Sequence, residues 1–124
     1  MVKRCPGSTA CAAASSSAAS QIFGTRVEPN GAATELAPSS LRMTPLGSWT
    51  SPRSGRTYSS GWEVTVPGGQ LRIAPKQLDQ ESNPVFPDLD YWEGATTVTG
   101  TVNGAAVTGK GYTEITPVQC LCGF

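Results

Sequence analysis

Three times along this chain, a short extended run ends at a tight-turn signal and a second extended run follows. The turns are predicted at Pro29-Asn30-Gly31, Pro67-Gly68-Gly69 and Asn103-Gly104. Asn-Gly and Pro-Gly pairs favour tight turns because asparagine tolerates, and glycine readily adopts, a positive φ. Larger or β-branched side chains fall at even spacing, as in strands with one buried face; they are Trp62, Val64 and Val66 in one run and Trp92, Thr96, Val98 and Val102 in another. The sequence therefore predicts an all-β, antiparallel fold built from hairpins, either a curled sheet or part of a lipocalin-like β barrel.

Two further patterns refine this prediction. Glycines at 94, 100, 109 and 111 lie inside the last hairpin, and they indicate bulges or bends where the sheet curls. Residues 75–91 are rich in Asp, Glu, Pro and Asn, which predicts a surface loop with one short helical turn around residues 76–80. Long loops at the mouths of barrels often control access to ligands.

Length and composition limit the domain organisation. The 124 residues suffice for one domain. Residues 1–20 are rich in Ala and Ser and lack a hydrophobic pattern, so we predict a disordered leader there, a β domain over 21–117 and a tail over 118–124. Nine basic residues balance nine acidic ones, which favours neither nucleic acid nor an acidic membrane as partner. We predict no membrane span and no signal peptide, since no sufficiently long apolar run occurs, and the compartment stays open.

The chain contains no histidine. This excludes Ser-His-Asp and Cys-His nucleophile arrangements and removes the commonest zinc ligand. The four cysteines, Cys5, Cys11, Cys120 and Cys122, are spaced C-x5-C and C-x-C, unlike the C-x2-C pairs of zinc sites. We predict incidental thiols, no metal site and no cofactor, and three disulfide pairings remain open.

Five motifs between residues 49 and 116 carry a family resemblance. The stretch from Trp49 to Tyr58 is similar to a W-x-S-P-x-[ST]-G-x-x-Y element, and Trp62 falls where a tryptophan occurs in the next strand. Residues 78–81 resemble a D-Q-E segment, and residues 91–114 resemble a terminal YWEG…V-x-G…G…G-x-GY-x-E signature. Together these motifs resemble the C-terminal portion of the AttH/CrtC lipocalin-like family, which includes carotenoid 1,2-hydratase and hydroxyneurosporene synthase-like proteins.

The resemblance implies a fold and a function. Members of the family are built from two lipocalin-like units, and the earlier unit, with its tryptophan/aspartate/histidine motif, has no counterpart in this sequence. The chain is therefore expected to be a C-terminal domain that binds a hydrophobic, isoprenoid or polyketide-like small molecule, linked in full-length relatives to alkene hydration or cyclisation by a hydro-lyase. Whether it is part of an enzyme, a non-catalytic binding module or a fragment without independent activity remains open. Exposed sheet edges and an apolar inner face predict a homodimer or pairing with the missing N-terminal half.

Alkene hydration needs an acid that protonates carbon and a base that activates water. Two carboxyls with different pKa values in an apolar site can fill these roles. The candidate catalytic carboxyls are Glu93, which ranks first, followed by Asp79, Glu81 and Glu114. A structural role stays open as the alternative. On an alternating strand Glu93 faces away from Trp92, and a carboxylate that bonds to the backbone or to an arginine such as Arg53 or Arg72 is structural.

Aromatic side chains are the candidate ligand contacts, since their faces stabilise developing positive charge. They are Trp49, Tyr58, Trp62, Tyr91, Trp92 and Tyr112. The alternative is that the three tryptophans form the core of a small domain, each with a partner for its indole N–H.

Overall fold

The computed structural model describes residues 22–82 and 90–117, and ten strands lie within them. The strands are β1 (Gly24–Val27), β2 (Ala33–Leu36), β3 (Arg42–Pro45), β4 (Ser48–Thr50), β5 (Thr57–Ser59), β6 (Trp62–Val66), β7 (Gly69–Pro75), β8 (Glu81–Ser82), β9 (Tyr91–Val102) and β10 (Ala105–Ile115). A 3-10 turn at Pro38–Ser40 joins β2 to β3. The predicted all-β class is confirmed. The predicted leader and tail, and all four cysteines, lie outside the described residues.

Most of the strands form one curled antiparallel sheet. Its strand order is β10-β9-β7-β6-β3, and the short β8 pairs with the beginning of β9 beside the end of β7. Two hairpins, β1–β2 and β4–β5, form separate two-stranded sheets. The curled sheet corresponds to half of a lipocalin-like barrel, as the hairpin pattern predicts.

The predicted hairpins are confirmed, and their turns have the expected backbone geometry. Gly31, in the β1–β2 turn, has φ +87°, and Gly68, between β6 and β7, has φ +76°. Both central residues of the β9–β10 turn, Asn103 (φ +50°) and Gly104 (φ +78°), have positive φ, which suits the twist of a two-residue hairpin. The Asn103 N–H donates to the Gly68 carbonyl over 2.8 Å, so the two turns support each other.

The glycines of the last hairpin do not mark bulges between β9 and β10, so the bulges that we expected as one of two alternatives are absent from this ladder. The β9–β10 ladder runs unbroken from Trp92 opposite Ile115 to Val102 opposite Ala105. Three of the four glycines, at positions 94, 100 and 111, instead permit close approaches; a Cβ at Gly100 would collide with the Gln70 carbonyl of β7. Backbone contact between strands therefore accounts for this glycine.

The predicted helical turn around residues 76–80 is also absent from the structure. The backbone of this segment bonds to β9: the Lys76 N–H donates to the Ala95 carbonyl over 3.0 Å, and the Gln80 carbonyl accepts from the Glu93 N–H over 3.2 Å. Tertiary hydrogen bonds thus replace the local bonds that a helical turn would need.

Cross-strand register gives the sheet two chemically different faces. Residues directly opposite each other on paired strands share a face. One row is Met43, Val64, Leu71, Gly100 and Val107, and the next is Pro45, Trp62, Ile73, Val98 and Gly109. Two shorter rows on the same face are Pro75, Thr96, Gly111 and Glu81, Trp92, Ile115. We call the face that carries these rows the apolar face. The opposite, polar face carries Thr, charged and amide side chains along β6, β7, β9 and β10.

Burial is concentrated at one end of the apolar face. Among the described residues, the buried hydrophobic side chains are Tyr58, Trp62 and Trp92. Leu71 and Val98, farther along the face, are only half-buried, and Met43 is 49% exposed. The described residues include no helix that is long and apolar enough to cross a membrane.

Candidate functional site

The W-x-S-P-x-S-G-x-x-Y motif forms the β4–β5 hairpin. Trp49 and Tyr58 are opposite each other across the hairpin, and their rings stack with centroids 6.2 Å apart. The connecting loop is closed by hydrogen bonds from the Ser51 N–H to the Arg56 carbonyl and from the Gly55 N–H to the Ser51 carbonyl, each 2.8 Å long. Gly55 adopts φ +72°, which a residue with a Cβ adopts only at a cost. The motif thus brings Ser51 and Tyr58 to buried positions.

Glu81 receives the hydroxyl groups of this hairpin. Its backbone lies opposite Trp92 in β8, and its side chain is fully buried. The hydroxyls of Ser51 and Ser54 and the phenol of Tyr58 donate hydrogen bonds to its two carboxylate oxygens, the phenol over 2.8 Å. An ionised carboxylate is acceptor-only and suits several hydroxyl donors at once. We call Ser51, Ser54, Tyr58 and Glu81 the hydroxyl–carboxylate cluster.

Two arginines of the same loop bind carboxylates around this cluster. Arg53 Nη2 donates to Asp79 Oδ1 over 2.8 Å and to the Glu81 carbonyl over 3.2 Å, and it lies 4.0 Å from Glu81 Oε2. Arg56 Nε donates to Asp90 Oδ2 over 2.9 Å. The Arg53–Asp79 pair is more than half exposed on both sides, so solvent screens it and it contributes little stability. Arg53 and Arg56 nevertheless connect the β4–β5 loop to both ends of the segment between β7 and β9.

The phenol of Tyr58 is held in its neutral form. Burial raises the pKa of Tyr58 well above its usual range, and the hydrogen bond to Glu81 and the negative charges of Glu81 and Asp90 raise it further, while Arg56 opposes them. A neutral phenol keeps its O–H as a donor to Glu81 over the physiological pH range. Tyr58 therefore acts as a hydrogen-bond donor in the cluster and not as a base.

Gln80, which sequence reasoning missed, connects the D-Q-E segment to β9. Its side-chain Oε1 accepts from the Ala95 N–H over 2.9 Å, and its Nε2 donates to the carbonyls of Gln77 and Ala95 over 2.8 and 3.2 Å. The carboxamide thus bonds to the β9 backbone as a neighbouring strand would. The close approach requires Gly94, because a Cβ there would collide with the Gln80 carboxamide. The D-Q-E and YWEG motifs, which contain Gln80 and Gly94, were the sequence signal that could have indicated this contact.

Gly94→Ala is expected to lower the free energy of unfolding by about 1–3 kcal/mol, because the displaced carboxamide would leave the part-buried Ala95 N–H of β9 without its acceptor. Urea unfolding measures the loss. In a Gln80→Ala background the same substitution should cost at least ~1 kcal/mol less, since the colliding group is gone. Gly109→Ala is the matched control, because its Cβ would meet Val98 at an ordinary 3.9 Å. Equal losses at Gly94 and Gly109 would contradict the proposed contact.

The structure brings four of the six predicted aromatic ligand contacts to one end of the molecule. Trp62 and Trp92 meet edge to face with ring centroids 6.5 Å apart, and Trp49 stacks on Tyr58. The Trp92 Nε1–H donates to the Leu78 carbonyl over 2.7 Å, as the core interpretation expects. The register places the other two, Tyr91 and Tyr112, on the polar face, and Tyr112 is 71% exposed. A role in ligand binding stays a prediction for all six.

The four candidate catalytic carboxyls lie in different environments. Glu93 and Glu114 lie opposite each other on β9 and β10, on the polar face, where Glu93 is half-buried and Glu114 exposed. Glu114 also lines an open cavity of about 510 Å³ together with Ser59, Ile115 and Thr116. Asp79 is bound to Arg53 at the surface. Glu81 is the one of the four that is buried and opposite Trp92 on the apolar face. Their catalytic roles stay predictions.

Thr96 is a second polar group on the apolar face that sequence reasoning missed. Its side chain is 1% exposed, and its hydroxyl has no hydrogen-bond partner in the part of the chain that the structure describes. No group of three or more Cys, Asp or Glu side chains within the described ranges 22–82 and 90–117 is arranged to hold a metal ion.

Comparison with known proteins explains why these motifs occur together. The profile of the AttH-like family matches residues 11–117. The chain belongs to the AttH-like family. Among solved structures, kievitone hydratase from Nectria haematococca is 26% identical with a TM-score of 0.63, and an AttH-type protein from Nitrosomonas europaea is 28% identical with a TM-score of 0.60. Each alignment covers 74% of this chain and 28% of the other.

The chain therefore spans little more than a quarter of the length of either AttH-like structure. A search of curated proteins found no significant match. The family resemblance carried by the sequence motifs is confirmed. The relationship to a hydratase is supported at the level of similarity, and the narrower carotenoid hydratase assignment stays a prediction.

Proposed function

We propose that this AttH-like chain forms one wall of a binding site for a hydrophobic small molecule of isoprenoid or polyketide-like structure. The observation that carries the proposal is the apolar face itself. It extends across β3, β6, β7, β9 and β10, and its hydrophobic side chains other than Trp62 and Trp92 are half-buried or exposed. A concave apolar surface with a few polar groups is typical of small-molecule sites.

The hydroxyl–carboxylate cluster positions one end of this surface. Glu81 bonds to three hydroxyls of the β4–β5 hairpin while its backbone pairs with Trp92. The hairpin and the two buried tryptophans are thereby held against the same end of the sheet. Under this proposal Glu81 is a positioning residue, because its oxygens are already engaged by groups of its own chain.

The hydratase relationship gives the proposed ligand a chemical setting. Kievitone hydratase is named for the addition of water to kievitone, and hydration requires an acid within reach of the ligand. Glu93 and Glu114 lie on the polar face, so a ligand on the apolar face would not contact them. We therefore assign ligand binding to this chain. In a full-length relative, the catalytic acid would be a residue that does not lie on the polar face of this sheet.

Val107→Asp is expected to weaken binding of retinol, used as a hydrophobic polyene probe, at least tenfold, which corresponds to ~1.4 kcal/mol, because it places a charge against an apolar ligand. Thr108→Asp is the matched control, since it puts the same charge on the polar face of the same strand and should change the affinity less than twofold. Quenching of tryptophan fluorescence measures both affinities. Equal effects of the two substitutions, or no binding to the unaltered chain, would refute the proposal.

A second candidate is that a further β unit covers the apolar face. The half-exposed face and the 28% coverage of the two related structures favour it. In that case Val107→Asp should shift the oligomeric state measured by light scattering over a range of concentrations. If the apolar face binds only a ligand, Val107→Asp leaves the molar mass unchanged and lowers the affinity for retinol.

A further inference from the structure

Thr96 combines complete burial with an unsatisfied hydroxyl. The side chain is 1% exposed, and Oγ1 has no partner among the described residues. A buried hydroxyl without a hydrogen bond costs free energy, and valine has the same shape without that cost. Local stability therefore disfavours threonine at this position. Residues that break a local rule in this way are concentrated at functional sites.

The cross-strand and flanking neighbours of Thr96 on the apolar face offer its hydroxyl no polar side chain. Its cross-strand neighbours on the apolar face are Pro75 and Gly111; proline has no N–H, and glycine has no side chain. Along the same face of β9, the flanking residues are Gly94 and Val98. None of these four neighbours therefore supplies a partner for the hydroxyl.

The hydroxyl points toward a strip of bare backbone. A Cβ at Gly111 would lie 2.6 Å from Thr96 Oγ1, so the oxygen is directed toward β10. Gly109 and Gly111 are successive residues of β10 on the apolar face, and we call them the glycine strip. Without side chains there, a flat molecule can lie directly on the β10 backbone beside Val98 and Thr96.

We propose that the Thr96 hydroxyl hydrogen-bonds to an oxygen of the ligand, so that the site takes a flat hydrophobic molecule bearing a hydroxyl or carbonyl group in preference to a pure hydrocarbon. This inference rests on the proposed function. The apolar part of the ligand lies over the glycine strip and its oxygen reaches Thr96. Because the hydroxyl is covered, contact with the ligand requires the side chains around it to shift. A site with a buried polar group discriminates strongly against ligands that lack the partner group.

The test compares retinol with the hydrocarbon in which a hydrogen replaces its hydroxyl group, each titrated by tryptophan quenching. Thr96→Val is expected to weaken retinol binding about tenfold and to leave hydrocarbon binding unchanged within twofold. Its melting temperature should be equal to or above that of the unaltered chain. Thr96→Ser keeps the hydroxyl and should retain the preference for retinol. Thr97→Val, on the polar face of the same strand, is the control and should change neither affinity.

The outcomes separate this inference from the proposed function. If Thr96→Val weakens both ligands equally, or neither, the hydroxyl makes no contact with the ligand and the inference is wrong, while binding on the apolar face stands. A loss of the retinol preference in Thr96→Ser as well as in Thr96→Val would also overturn it. If the unaltered chain binds neither probe, the proposed function fails and this inference fails with it.

Discussion

Glu81→Ala is expected to lower the free energy of unfolding by about 3–5 kcal/mol, the cost of breaking a buried charged network by removing one partner. The hydroxyls of Ser51 and Tyr58 would stay buried without their acceptor, and the volume of the carboxylate would be empty. For a domain of this size 1 kcal/mol corresponds to about 4–8 °C, so the melting temperature should fall by roughly 12 °C or more. Thermal unfolding followed by circular dichroism measures the change.

Glu93→Ala is the matched control for this substitution. Glu93 is half-buried on the polar face and lies directly opposite Glu114, and like charges at such positions repel each other. Its removal should leave stability unchanged or raise it by a few tenths of a kcal/mol, roughly the size of one cross-strand pair. Similar losses for the two substitutions would contradict the anchoring role of Glu81. Glu81→Gln, which keeps the shape and one acceptor oxygen, should fall between the two.

Trp92→Ala is expected to lower the free energy of unfolding by about 3–5 kcal/mol, the range for truncating a buried large aromatic side chain. Trp92 is 3% exposed, contacts Trp62 edge to face, and donates to the Leu78 carbonyl over 2.7 Å. The substitution therefore opens a cavity and also releases the segment before β8. Chemical unfolding, with the midpoint and the slope fitted separately, measures the loss.

Two further variants separate the contributions to the loss of stability expected for Trp92→Ala. Trp92→Phe keeps a ring in the core but removes the N–H donor, so it should cost about 1–2 kcal/mol through the lost hydrogen bond to the Leu78 carbonyl and the lost volume. Trp49→Ala removes a half-buried ring that stacks on Tyr58 at the hairpin, and it should cost less than Trp92→Ala. If Trp49→Ala destabilises the chain as much as Trp92→Ala, the core is not centred on the Trp62–Trp92 pair.

The hairpins and their faces followed from the sequence because their causes are local. Positive φ at Asn103 and Gly104 is a property of those two residue types, and a strand of period two places Trp92 and Val98 on one face wherever the strand lies. The family motifs were also readable, since they are short segments with specific side chains. These features depend on neighbours only a few residues apart in the chain.

Which of the candidate carboxyls is buried and bound by hydroxyl groups was decided by tertiary structure alone. From the sequence Glu93 ranks above Glu81, because Glu93 has the aromatic neighbours Tyr91 and Trp92. Their environments differ because the β4–β5 hairpin, some 30 residues before Glu81, brings three hydroxyls to one carboxylate and none to the other. Likewise, the orphan hydroxyl of Thr96 depends on Pro75 and Gly111, which only the register of three strands places beside it. Burial and hydrogen bonding are properties of contacts distant in sequence, and local patterns do not determine them.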